Sequence, residues 1–450
     1  MDTTEIRSVI DEWFGRYQSD LAALVAVDSK NMPPENRKPM GKGPYEALTT
    51  MLDIAKELGF ETFLDPEGYY GYAQAGGGEQ LLGVLGHMDV VPAEDKENWN
   101  TPPFELTEKD GVLYGRGVQD DKGPTLASLY ALKLLLQSGF VPSMRVRFIF
   151  CTDEESMWRS VQKYVEKEEH PTIGFTPDSS FPLTYAESGL AEYYLTASES
   201  ESVTLTGGSS LNAVPATAST PYEEAVEKAL ASLGYEYRKT EGRLECFGKA
   251  VHAKDADQGV NAITRLCQAL VRAKKGGRML KFVVEKGADP NGIPLFGQVE
   301  DEPTGKLMFN IGTADFKPGS QKLGIDIRFP VRYPYEQVGT LLQKAAEPYG
   351  LQVQEYDSLR ALHIDVDTPL VKTLLQAYQE VTGDTKTPPL ATGGATFARS
   401  MDNIVAYGAA LPGAPVTEHQ PNECVAIEDL KVAIAVYYRA FELLCAGRGE

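Results

Sequence analysis

Cysteine is scarce in this chain. Five residues in 450 (Cys151, Cys246, Cys267, Cys424 and Cys445) lie far apart, and none forms a Cys-x-x-Cys pair. An odd, scattered set excludes a disulfide framework or a cysteine-built zinc ribbon, and buried thiols in a reducing cytoplasm are the expectation. Basic charge is also short, 43 Lys and Arg against 64 Asp and Glu for a net −21. That field repels phosphate backbones and anionic membranes, so neither nucleic acid nor membrane is an expected partner. No apolar run approaches the ~18 residues of a membrane span, and the acidic start Met1-Asp2-Thr3-Thr4-Glu5 has no apolar leader core. Internal repeats and low-complexity tracts are missing. Histidine is rare too, at five residues.

What is present is a globular composition, 42% hydrophobic over 450 residues, enough for two or three domains with sizeable cores. Helical periodicity covers 5–28, and further helices are expected at 45–58, 124–138 and 157–169. Strands are expected at 62–64, 69–75, 81–86 and 145–151. Strands alternating with helices imply a mostly parallel sheet. After Glu187-Ser188-Gly189 the pattern changes. A strand at 190–197, helices at 221–233 and 259–274, and strands at 244–248, 281–285, 307–312 and 322–329 read as α+β. From 368 the alternation returns, with helix 368–382, strand 403–407 and helix 427–446. The expectation is an α/β domain made of 1–186 and 365–450, its sheet flanked by helices, with an α+β domain of 187–364 inserted into it.

Carboxylates and histidines sit where the apolar strands run out. Leu81 to Gly86 leads into His87-Met88-Asp89, and Arg145 to Cys151 into Thr152-Asp153-Glu154-Glu155. Phe175-Thr176-Pro177 leads into Asp178. Open α/β sheets build their sites outside the carboxyl ends of their strands. His87 and Asp89, two apart, point to one side of an extended chain, although alone the pair fits a satisfied surface histidine as well. Asp120-Asp121 repel one another unless a cation neutralises them, with an N-terminal capping cluster as the alternative. Glu154-Glu155 is either a solvated turn or a metal ligand beside a general base. His419 lies in the polar loop Thr417 to Glu423. His, Asp and Glu donors without cysteine suit zinc or manganese, and point to a metallohydrolase.

Gly86-His87-Met88-Asp89-Val90-Val91-Pro92, Gly115-Arg116-Gly117 with Asp120-Asp121-Lys122-Gly123-Pro124, and Thr152-Asp153-Glu154-Glu155-Ser156 resemble the di-metal aminoacylase/carboxypeptidase family. That family includes succinyl-diaminopimelate desuccinylase, acetylornithine deacetylase and bacterial dipeptidases. Lys-Gly-Pro after the double Asp, Phe175-Thr176-Pro177-Asp178, and Gly207-Gly208 with Asn212-Ala213-Val214-Pro215 narrow the likeness to the PepV-like, Xaa-His (carnosinase-type) branch. The likeness runs from about residue 10 to 440.

The resemblance implies a phosphorylase/hydrolase-like catalytic domain with an inserted lid, and two divalent ions, zinc first and manganese or cobalt as alternatives. Asp120 would bridge them, with His87 and Asp178 completing one site and Glu155 and His419 the other. Asp89 would orient His87 and Glu154 would be the general base. In the lid, His252 would polarise the scissile carbonyl with Asn212 beside it. Arg328 would clamp a substrate carboxylate, assisted by Gly394 and Thr396 of the turn Gly393-Gly394-Ala395-Thr396, where relatives commonly carry Gly in place of Ala395. His170 and His363 match nothing and read as structural. The implied activity is hydrolysis of small peptides with a free C-terminus by a metal-bridging hydroxide, in a cytoplasmic monomer. The alternatives are an N-acyl amino-acid deacylase of the same family and a catalytically silent amino-acid-binding module. A magnesium phosphoryl-transfer site is disfavoured, since no Gly-x-x-x-x-Gly-Lys loop accompanies the double Asp.

Overall fold

The computed structural model describes residues 1–93, 96–198 and 203–446. The chain divides into two compact units, one of Met1–Tyr185, Ile364–Leu390 and Thr396–Glu450, the other of Ala186–His363 and Ala391–Ala395. Among the described residues no helix is long and apolar enough to cross a membrane.

The first unit is built on a sheet whose order runs Glu61–Leu64, Tyr70–Ala75, Arg145–Cys151, Leu81–His87, Ile173–Thr176, Ile404–Ala406. The last four of these are mutually parallel. Tyr70–Ala75 pairs antiparallel with both of its neighbours, so the sheet is mixed and the parallel character read from the sequence holds for those four strands. The reason is the short connection at 65–69, with Gly68 at φ 81, which permits a hairpin where a parallel return would need a long crossover. Leu81–His87 is buried along its whole length, as a strand covered on both faces must be. Helices Thr3–Val25, Lys122–Gln137, Pro369–Thr382 and Ile427–Leu444 supply the covering apolar faces. A Cβ on Gly86 would fall 1.9 Å from Thr125 Oγ1. Only glycine lets helix Lys122–Gln137 come that close, and the approach sets Asp120 and Asp121 beside His87.

The second unit is an eight-stranded sheet, ordered Tyr237–Thr240, Arg243–Phe247, Thr217–Pro221, Leu205–Gly207, Met308–Lys317, Ser320–Phe329, Gly189–Ala197, Gln352–Leu359. Every pairing in it is antiparallel. One face packs on helices Glu224–Leu233, Ala262–Arg272, Arg278–Glu285 and Tyr335–Ala346. Residues 281–285 are thus helical, against the strand expected from Phe282-Val283-Val284. Met279, Leu280, Phe282 and Val283 are all buried, a helical spacing that overrides β propensity. On strand Ser320–Phe329, Ile325 and Ile327 enter the core while Asp326 and Arg328 take the opposite face.

Candidate metal centre

Three neighbouring parallel strands of the first unit end at one place. His87 closes its strand, Glu154 and Glu155 follow Cys151, and Asp178 follows Thr176 by two residues. Asp120-Asp121 precedes helix Lys122–Gln137, and the peptide joining the two is cis. His87 Nε2 lies 2.8 Å from Asp120 Oδ1 and 3.7 Å from Asp178 Oδ2. His419 Nε2 lies 3.0 Å from Asp120 Oδ2 and 3.0 Å from Glu155 Oε1. Asp120 therefore offers one oxygen to each imidazole. Two donor sets, His87–Glu154–Asp178 and His87–Asp120–Glu155, have all their atoms within 4.8 Å of one another.

Asp89 is buried, and His87 Nδ1 is 3.0 Å from its backbone oxygen and 3.4 Å from Oδ1. Its carboxylate has a second task, accepting the backbone N–H of Glu154 at 3.0 Å and of Glu155 at 3.2 Å. Asn31 Nδ2 donates to the same carboxylate at 2.9 Å. One residue thus fixes the histidine and the acidic turn together. Asp121 does not cap its helix with its side chain. Its Oδ2 accepts from Thr125 Oγ1 at 2.6 Å and from the His87 N–H at 3.3 Å, while Oδ1 is buried without a partner. Asp153, next to the glutamates, is spent on the N–H groups of Arg159 and Ser160.

The electrostatics describe a cluster short of positive charge. Burial pushes Glu154 and Asp178 well above the usual carboxylate range, and the neighbouring carboxylates add to it. Burial and then the Asp120 charge lift Glu155 to about 7. Burial would raise Asp120 as well, but hydrogen bonds from His419 and His87 hold it below its ordinary value. Hydrogen bonds to Asp120 and Glu155 lift His419 to about 11. His87 is also raised, by Asp120 and Asp89 against the opposing effect of burial. Left to itself, the protein must hold protons on buried acids and on both imidazoles. Divalent cations would replace those protons. The donor separations of 2.8–3.7 Å lie on either side of the spacing of about 3.3–3.6 Å that zinc–ligand lengths of about 2.0–2.2 Å would set, so small side-chain shifts would admit an ion. The residues fit a carboxylate–histidine metal site.

A stability consequence follows. Without a cation, Glu155 at about 7 and His419 at about 11 both lie above their ordinary values of 4.5 and 6.5. The folded state then binds more protons than the unfolded one, so stability falls as pH rises. The Glu155 part is lost between about pH 4.5 and 7, and the His419 part from about pH 6.5 upward. Asp120, shifted the other way, acts only below its usual range. Chelator-treated protein is expected to melt at a lower temperature at about pH 8 than at about pH 5, and zinc should remove most of the difference. A melting point that rises with pH in chelator would show that these groups do not hold the protons.

In the second unit, Ala213 and His252 form a backbone bridge, so exposed Asn212 and exposed His252 lie on adjoining segments. Asn310 Nδ2 holds the Asn212 turn through the carbonyls of Leu211 (2.8 Å) and Ala213 (2.9 Å). His252 Nδ1 accepts the Lys254 N–H at 3.1 Å, which leaves the proton of a neutral ring on Nε2. Partial burial and the nearby Arg328 charge push its pKa down, favouring that neutral form. Arg328 gives Nε and Nη2 to Asp326, each at 2.9 Å, and Nη1 to the Gly393 carbonyl at 3.3 Å. Its Nε edge is therefore occupied, and one N–H on each of Nη1 and Nη2 is left for a further carboxylate. Gly394 N–H bonds Thr392 Oγ1 at 3.0 Å in the same unit. Thr396 belongs to the first unit, where its hydroxyl caps the turn at Phe397–Ser400.

Residues 83–443 match the model of peptidase family M20/M25/M40. The chain belongs to that family. It is a metallopeptidase, by family and by the donor set at its strand ends. The Bacillus subtilis (strain 168) protein named "Putative dipeptidase YtjP" is 36% identical over 428 residues, 90% of this chain and 91% of that one. Human carnosine dipeptidase 1 shares the fold at a TM-score of 0.62 and 16% identity, over 98% of this chain and 99% of its own. The YXEP protein of Bacillus subtilis, described as a dinuclear metal-binding peptidase, matches at a TM-score of 0.54 and 12% identity, over 96% and 99%. Sequence reading of this M20 peptidase missed Asn31, Asp326 and Glu423, which touch candidate site residues without being ligands themselves, and Gln119, which bonds the loop that carries His419. Only Asp326 left a signal, two residues from Arg328 on one strand face.

Proposed function

We propose that the chain is a metal-dependent dipeptidase that cleaves small peptides with a free C-terminus. The observation that carries the reading is the convergence of His87, Asp120, Glu155, Asp178 and His419 at the strand ends, with the Glu154 carboxylate in the same cluster. His87 and Asp178 would hold one divalent ion and Glu155 and His419 a second, with Asp120 shared between them. When bound, the ions supply the Lewis acidity that polarises water and the scissile carbonyl. Glu154 takes the proton of the attacking water and returns it to the leaving amine. Asp89 holds His87 and the Glu154–Glu155 turn in place. His252, with its Nε2–H, and Asn212 donate to the carbonyl oxygen, a contribution of roughly 3 kcal/mol per donor. The outer edge of Arg328, with the turn at Gly394 and Thr396, receives the substrate carboxylate.

The names of the relatives support the dipeptide as substrate, and the free edge of Arg328 supports the free C-terminus. Zinc as the native ion, a cytoplasmic location and a monomeric state complete the reading, and metal analysis and sedimentation of purified protein test the first and last. The activity itself is tested with metal-stripped protein, which is expected to be inactive. Re-metallation with zinc, manganese or cobalt should restore cleavage of dipeptides. Faster turnover of N-acyl amino acids than of any dipeptide would overturn the dipeptidase reading in favour of a deacylase.

A further inference from the structure

Asp120 and His419 are far apart in the sequence, yet their side chains meet at 3.0 Å. Packing does not hold them there, because the His419 side chain is 55% exposed. The backbone of its loop is also unusual, with His419 at φ 62 and Asn422 at φ 65, a left-handed conformation that persists only where surroundings impose it.

The surroundings that impose it include two side chains outside the donor set, Glu423 and Gln119. Glu423 is fully buried. Its carboxylate accepts the backbone N–H groups of Gly117 (3.0 Å), Gln119 (2.8 Å) and Asp120 (3.1 Å), together with Arg116 Nη1 at 2.7 Å. Every donor lies on the loop that carries Asp120. Gln119 closes the connection from the other side of His419, giving Nε2 to the Pro415 carbonyl at 2.8 Å. Its Oε1 accepts the Thr417 N–H at 2.7 Å and the Thr417 hydroxyl at 2.9 Å. Asn422 ties the same loop down, bonding the Asn98 carbonyl at 2.9 Å and the Asn100 N–H at 2.7 Å.

We infer that Gln119 and Glu423 are positioning residues forming a bracket across His419 that holds it in register with Asp120, so that they set the affinity of the ion His419 binds without touching it. The inference rests on the proposed metal centre. It also carries an asymmetry. His87 is buried and fixed by Asp89, so loosening the bracket should reach the ion held by His87 and Asp178 only through the shared Asp120, and weaken it less than the ion His419 binds.

The test titrates zinc into metal-free wild-type protein, Gln119→Ala and Glu423→Gln, following heat and zinc content, with far-ultraviolet circular dichroism as a check on folding. Glu423→Gln keeps the shape but turns an amide towards backbone donors. The wild type should take up two ions. Each variant should bind one of them about 10–100-fold more weakly, the scale for residues that orient metal ligands, and the other much closer to wild type. Its kcat should recover as zinc is raised while KM for a dipeptide stays close to wild type, which a general loss of structure would not produce. If Glu423→Gln fails to fold, Gln119→Ala decides alone, since Gln119 is only partly buried. Unchanged affinity for both ions in folded Gln119→Ala, or equal weakening of both, overturns the bracket. A wild type that takes up no zinc, manganese or cobalt would instead sink the proposed function, a result separable from either of those.

Discussion

Glu154→Gln is expected to lower kcat for dipeptide hydrolysis by about 10²–10⁴-fold, the usual contribution of a positioned acid–base group, with metal content and KM close to wild type. The substitution leaves the backbone undisturbed, because the turn is held from outside. Asp89 accepts the N–H groups of both glutamates, and Trp158 Nε1 donates to the Glu154 carbonyl at 2.7 Å. Burial raises the Glu154 carboxylate, which suits a proton acceptor better than an ordinary glutamate would. The competing assignment is a real one, since Glu154 shares a donor set with His87 and Asp178. Elemental analysis separates the two. If Glu154→Gln loses an ion while Glu155→Gln loses only rate, the roles of the two glutamates are exchanged.

Of the candidate ligands, His87, Glu155 and Asp178 were legible in the sequence because each combines a restricted residue type with a strand end, whereas Asp120 and His419 stood out only by residue type and motif. The run Leu81 to Gly86 is apolar on every residue, which a parallel strand covered on both faces demands, and the carboxylates after Cys151 and Thr176 follow the same rule. The strand Gln352–Leu359 was not legible, because it lies at the sheet edge, largely exposed, and carries no apolar face. Residues 281–285 misled for the opposite reason, since β-branched residues also serve a helix when their spacing matches it. The positioning residues were hidden for another cause. Nothing in a loop glutamate such as Glu423, or in Asn31 or Gln119, distinguishes a side chain that holds a distant backbone N–H from one in solvent. The partner decides, and only the fold supplies it. Asp89 was half legible. Its pairing with His87 is local, whereas its hold on Glu154 and Glu155 depends on two strands lying side by side.

Arg328→Lys is expected to raise KM for dipeptides with a free C-terminus by about 10–100-fold, the loss of one charge-assisted pair. The reasoning starts from how the guanidinium is spent. Asp326, fully buried, takes Nε and Nη2, and the Gly393 carbonyl takes Nη1, so the planar group is fixed with one N–H left on each of Nη1 and Nη2. A lysine ammonium keeps the charge but has no planar fork, so it cannot satisfy Asp326 and present two parallel N–H groups outward at the same time. The charge of Asp326 would then draw the ammonium inward and leave the substrate carboxylate unmet. The same substitution should cost little with a dipeptide amide, because the group it reads is gone. Comparing two enzymes on two substrates isolates that coupling from any general weakening of the second unit. Equal losses on the acid and the amide would mean that Arg328 only braces Asp326 and the turn at Gly393, and the carboxylate would have to be read elsewhere.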